Sequence, residues 1–231
     1  MQINEDCSFC HEIGGIDDYN FFKIYLEEKL LPYNIKNRII GETKNFLIMP
    51  MVGPLVPGYL LVVSKEHYWS FSHLPKDIYY EVEIIQELLN ELFERYFTKP
   101  LYFEHGAMSD IKKGGCCSVH AHLHCVGVEI DVYKYIAKKN MLYNELYEFT
   151  ELSQMSDKNI PYIYYQNQNG NKFVFKAENI ESQYVRKLIG KKLGYYDRLE
   201  WSENIQYDWI LYLIKEFTPL FNKLKGKSIW L

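Results

Sequence analysis

Apolar positions recur at three- and four-residue steps through one long stretch of this chain. Ile78, Val82, Ile85, Leu89, Leu92 and Tyr96 follow Pro75 and Asp77, and this spacing predicts a helix. On either side the pattern shortens to strands. "RIIGETKNFLIMPM" (38–51) predicts two short strands around a polar turn, and "GYLLVVS" (58–64) a buried strand. "LYFEHGAM" (101–108) predicts another, and residues 119–128 a fifth, behind a glycine-bearing loop at 109–118. Before them, "YNFFKIYLEEKLL" (19–31) has helical periodicity and stops at Pro32.

Beyond residue 130 the character changes. Residues 132–149 predict a helix. "YIYYQNQNGNKFVFKA" (162–177) predicts a hairpin turning at Asn169-Gly170. Helices are expected at 181–194, closed by Gly194, and at 207–221. The order gives an α+β fold with a mostly antiparallel sheet of about five strands, one long helix and a mixed α/β C-terminal extension.

Composition narrows the partners. Hydrophobic residues make up 48% of the 231, enough for a core, and the net charge of −4 gives no footprint for a nucleic-acid polymer or a membrane surface. No apolar run is long enough to span a bilayer, and "MQINEDCSFC" does not resemble a signal peptide. A cytosolic location is therefore expected, where five cysteines read as metal ligands or plain thiols rather than disulfides.

The candidate chemistry lies in "GGCCSVHAHLHCVGV" (114–128), which places three of seven histidines at alternate positions. On a strand, His120, His122 and His124 share one face, with Ala121, Leu123 and Cys125 on the other. One metal held by all three is disfavoured, since the outer two would stand about 13 Å apart. A division of labour fits better: one nucleophile, one proton donor, one residue serving elsewhere. Lys112, Lys113, Gly115 and the amides of the preceding loop suit an anionic oxygen. "CSFC" (7–10) is a Cys-x2-Cys knuckle that needs two further ligands to hold zinc.

His-Ala-His-Leu-His-Cys-Val resembles the signature of the histidine triad (HIT) family of nucleotide hydrolases and transferases. "PLVPGYLLVVSKEH" (54–67) and "FEHG" (103–106) resemble the family's segments in the same order. The resemblance covers roughly residues 7–130, so the chain divides into a catalytic domain at 1–130 and an extension packed on it at 131–231. It implies that His122 attacks the α-phosphorus of a nucleotide and that His124 contacts the phosphate and protonates the leaving group. Lys112, Lys113, Gly115, Cys117 and Ser118 would bind phosphate. It also implies a structural zinc on Cys7, Cys10, His67 and His120, and a homodimer unless the extension blocks or replaces the interface. Tyr59 stands where the family usually has histidine, and Met51 where it has the Asp or Asn that holds ribose. Glu104 replaces a common Asn and is expected to orient His122. "SQYVRKLIGKKLG" resembles an extension of larger bacterial members, with Gln183, Arg186 and Lys187 on one helical turn and Arg186 a phosphate or partner contact. Related uridylyltransferases have Gln at the third triad position, so His124 points to hydrolysis of a phosphoanhydride or phosphoramidate. The alternatives are a nucleotidyltransferase and a nucleotide-binding protein with a decayed site.

Overall fold

The computed structural model describes residues 4, 6–139 and 142–231. Its strands are β1 (Gly41–Glu42), β2 (Phe46–Pro50), β3 (Tyr59–Ser64), β4 (Pro100–Gly106), β5 (His122–Gly127), β6 (Leu142–Leu146), β7 (Tyr162–Gln166) and β8 (Lys172–Lys176). They form one sheet in the order β1-β2-β3-β5-β4-β7-β8-β6, every neighbouring pair antiparallel. The helices are α1 (Ser8–Gly14), α2 (Phe21–Tyr25), α3 (Glu27–Leu30), α4 (Tyr79–Tyr96), α5 (Tyr133–Lys139), α6 (Ser153–Asp157), α7 (Tyr184–Leu193) and α8 (Tyr207–Asn222). Among the described residues no helix is long and apolar enough to cross a membrane.

Both faces of the sheet are covered. On one, Val82, Ile85, Leu89 and Phe93 of α4 pack with Leu60, Val62, Leu123 and Cys125, joined by Ile210, Leu213 and Phe217 of α8. Each such fully buried side chain contributes about 1.5–3 kcal/mol through removal of apolar surface from water. On the other face, Phe9 of α1, Ile136 of α5 and Val185 and Ile189 of α7 pack with Leu61, Val63 and Phe103. With both sides covered, β2, β3, β4 and β7 are buried at every position. Such strands read as continuous apolar runs instead of alternating ones.

Among the described residues the sheet has eight strands where about five were expected. The five N-terminal strands end at the free edge of β4, and β7 pairs with that edge, Phe103 opposite Tyr165. The hairpin β7–β8 and then β6 extend the sheet, which therefore runs through the boundary at residue 130. The helix expected over 132–149 is helix only through Lys139; residues 140–141 lie outside the described set, and Leu142–Leu146 is an edge strand on β8. The unpaired edge of β8 offers a ladder of backbone hydrogen bonds, and that long-range pairing overrides local helical propensity. The helix expected over 19–31 is split in two at Leu26, whose φ and ψ of −121° and −30° leave helical geometry. β5 starts at His122 because the Ala121 N–H turns aside to Tyr68 O, 2.7 Å away. His120 thus precedes the strand.

Candidate active site and metal centre

β5 is a central strand, so its alternating side chains go to different layers. Leu123 and Cys125 join the α4 core, while His122 and His124 face α1 and α7. Register places His124 between Leu61 of β3 and Phe103 of β4, and its ring stacks on Phe103 at 4.3 Å and 8°. The two histidine rings stand 4.9 Å apart. His122 Nδ1 lies 2.6 Å from His120 O. A carbonyl only accepts, so Nδ1 carries the proton and the Nε2 lone pair is free. Burial lowers the His122 pKa to about 4 and holds His124 well below the imidazole range, the neighbouring His122 charge adding to the effect on His124. His124 Nδ1 meets Tyr59 Oη at 2.9 Å. Burial pushes the Tyr59 phenol up to about 12, with the Arg186 charge opposing that rise.

The two rings border a narrow cavity with two lobes. One, of about 30 Å³, is walled by Phe9, Phe21, Met51, Trp201, Cys117 and Ser118. The other, of about 20 Å³, is more polar and is walled by His105, Gly115, Cys117, Gln183 and Arg186. The structure thus brings Gly115, Cys117, Ser118 and Arg186 to the histidines, with Tyr59 behind His124. Gly115 has a φ of +80°, and a Cβ there would lie 2.7 Å from Ile180, so no larger residue fits this turn. Lys112 and Lys113 are exposed and line a separate groove of about 550 Å³ with Asn159 and Glu178, outside the histidine cavity.

Glu104 does not orient His122. Strand alternation turns it to the α4 face, where its carboxylate accepts the Phe71 N–H at 2.8 Å and the Tyr162 hydroxyl. Its neighbour His105 faces the cavity instead and accepts the Val185 N–H of α7 at 3.2 Å through Nε2. Burial, and then the His122 charge, lowers His105 to about 3. The alternation that revealed the triad could have found His105 once the face of Phe103 was known. Sequence reasoning also missed Arg38, buried at the apolar lobe and paired to Glu12 through Nε–Oε1 at 2.7 Å and Nη2–Oε2 at 2.8 Å.

A second cluster lies beside the first. One ligand atom from each of Cys7, Cys10, His67 and His120 falls within 4.8 Å of the others. Cys7 Sγ–His120 Nδ1 is 3.4 Å, Cys10 Sγ–His120 Nδ1 3.7 Å and Cys10 Sγ–His67 Nδ1 3.3 Å. Zinc bonds of about 2.3 Å to sulfur and 2.0–2.1 Å to nitrogen in a tetrahedron separate S from N by about 3.5 Å. The donor set and its spacing therefore fit zinc. Ser64 O accepts from His120 Nε2 at 2.8 Å, which leaves Nδ1 as the ligand nitrogen. The Cys-x2-Cys spacing has a local cause as well, for Cys7 Sγ caps α1 by accepting the Cys10 N–H at 3.5 Å.

The model of one family, the HIT domain, matches residues 33–129. No curated relative matches the chain. Among solved structures, a hypothetical histidine triad nucleotide-binding protein of Sulfolobus tokodaii is 12% identical, with 87% of this chain and 97% of that one covered at a TM-score of 0.43. A zinc-bound histidine triad family protein of Mycobacterium smegmatis is 14% identical over 66% of this chain and 91% of its own, at 0.38. Yeast Ap4A phosphorylase in complex with AMP is 14% identical over 84% and 79%, at 0.40.

Proposed function

The chain is a HIT-domain protein, with that domain at residues 33–129, and from this premise we propose that it hydrolyses a nucleotide phosphoanhydride or phosphoramidate through a covalent nucleotidyl-histidine on His122. The observation that carries the reading is the His122 Nδ1–H held on His120 O at 2.6 Å, which aims a free Nε2 lone pair into the cavity. That nitrogen attacks the α-phosphorus, and the bond from phosphorus to the leaving group breaks. The Tyr59 hydroxyl, kept neutral by burial, donates to His124 Nδ1, so the resting His124 proton sits on Nε2. As His124 passes that proton to the leaving group, the Tyr59 proton moves to Nδ1 and keeps the imidazole neutral; the relay runs back in the second step. The nucleotidyl imidazole is cationic, and His120 O stabilises it through Nδ1–H. Water then attacks phosphorus, His124 takes its proton, and the P–N bond breaks to give nucleoside monophosphate and neutral His122. Ser118 and the loop amides near Cys117 offset charge on the phosphoryl oxygens.

Cys7, Cys10, His67 and His120 would hold zinc, which ties α1 to the start of β5 and so fixes the carbonyl that orients His122. Trp201 and Phe21 line the lobe that would take the nucleoside, with Met51 in place of the ribose-holding Asp or Asn.

Product analysis tests the reading. A panel of dinucleoside polyphosphates and nucleoside phosphoramidates is incubated with the zinc-loaded protein, with and without sugar phosphates. Free nucleoside monophosphate formed in water alone is expected. Product that forms only when an acceptor is added would make the protein a nucleotidyltransferase, and binding with no product would make it a nucleotide-binding protein.

A further inference from the structure

The extension places a buried charge in the cavity that forms no ion pair among the described residues. α7 begins beside the histidines, and its N-cap, Gln183, sits in the left-handed region at φ 61° and ψ 27°. A side chain in that region is uncommon and costs backbone energy. Gln183 is held there by its own N–H, which donates to Gly115 O at 2.9 Å, and by its Nε2, which donates to Glu200 at 3.1 Å. Its Oε1 has no partner among the described residues, although Gln183 is only 8% exposed.

Arg186 is the stronger case. It is 2% exposed. Its Nε donates to Leu199 O at 3.3 Å and its Nη2 to Arg198 O at 2.7 Å, while Nη1 has no partner among the described residues. No ion pair of Arg186 is found among the described residues, and the nearby acid Glu200 is paired with Lys187 at 2.5 Å. A buried guanidinium without a counter-charge is costly unless an anion joins it. Its position says which anion. Arg186 Cζ lies 5.9 Å from the Tyr59 ring, and Tyr59 is bonded to His124. Arg186 therefore sits on the proton-donor side of the pair. The lobe it shares with His105 and Gln183 is the more polar of the two; the other is walled by Phe9, Phe21 and Trp201, and its one arginine, Arg38, is already paired to Glu12.

We propose that Arg186 Nη1, at the first turn of α7, binds a phosphoryl oxygen of the leaving group, so that the substrate is a phosphoanhydride and not a phosphoramidate with an uncharged amine. Gln183 Oε1 accepts from a hydroxyl of the same group. The proposal rests on the His122 reading, which makes the His124 side the leaving-group side.

The test uses the full-length, zinc-loaded protein with Arg186→Met and Arg186→Lys. Two substrates share one nucleotidyl group: a dinucleoside polyphosphate and a nucleoside phosphoramidate. A charge-assisted hydrogen bond lost to the leaving group should cut kcat/KM for the polyphosphate about thirtyfold more than for the phosphoramidate in Arg186→Met. Arg186→Lys should recover part of that difference, and it carries the comparison if Arg186→Met fails to fold. Equal losses on both substrates would overturn the proposal. Calorimetric titration with pyrophosphate separates this site from the histidine chemistry. Wild type should bind it, and Arg186→Met at least about tenfold more weakly. If no substrate is turned over, the histidine reading fails and the pyrophosphate titration alone decides; unchanged pyrophosphate affinity in both variants overturns the Arg186 site.

Discussion

His105 and Glu104 are adjacent on β4 and face opposite layers, one toward the triad and the other toward α4. Burial raises the Glu104 pKa from 4.5 to about 8, against the lowering effect of the Tyr162 hydroxyl and the Phe71 N–H. The folded state thus keeps a proton that the unfolded chain releases above about 4.5. The stability this group contributes is full below that pH and is lost as pH rises through 8. Urea denaturation of wild type and Glu104→Gln at pH 5 and pH 8 should show the wild type losing more stability over that interval. Parallel losses would mean that Glu104 is an ordinary ionised carboxylate. The triad was legible in the sequence because three like residues two apart mark their own face. Glu104 was misread because β4 is apolar or buried at each position, so nothing in "LYFEHG" says which alternate set meets the histidines. Arg186 was singled out by its motif, but its unpaired nitrogen is visible only in three dimensions.

At the scale of elements, the segment between α7 and α8 closes the apolar lobe. Trp201 packs edge-on against Phe21 at 5.1 Å and Tyr25 at 5.0 Å. Its backbone reaches so close to Gly53 that a Cβ there would lie 1.8 Å from Trp201 O. Lobes of about 30 and 20 Å³ hold little more than water, far below the roughly 300–1,000 Å³ of typical ligand pockets, so a nucleoside enters only if this segment moves. Titration with AMP should change the tryptophan fluorescence of wild type, and the change should be lost in Trp201→Phe although Trp69, Trp209 and Trp230 remain. An equal change in both proteins would place the nucleoside elsewhere. The long helix α4 and the β7–β8 hairpin were legible because each has a local signal, a sustained period or an Asn-Gly turn. The 142–146 strand was not, because its only cause is the edge of β8 beside it.

For the whole molecule, α1 is fastened to the sheet by residues far apart in sequence. His67 and His120 lie 57 and 110 residues from Cys10, so the cluster exists only once β3 and β5 are paired. One zinc per chain is expected by elemental analysis, retained in His122→Ala and lost in Cys10→Ser. Chelation should lower the unfolding temperature by several degrees, because metal bound only to the folded state stabilises it. Zinc content unchanged in Cys10→Ser would remove the metal from this site. The knuckle was visible in the sequence, but its partners followed only from family resemblance, since no local pattern links them. The eight-stranded sheet was likewise hidden, because strand periodicity shows that strands exist and not which edges meet. Intact-protein mass spectrometry after mixing with a dinucleoside polyphosphate tests the covalent step at His122 most directly. An acid-labile mass increase of one nucleotidyl group, mapped to His122 and absent from His122→Ala, is the predicted result. An adduct that persists in His122→Ala, or that maps to His105 or His124, would contradict the account.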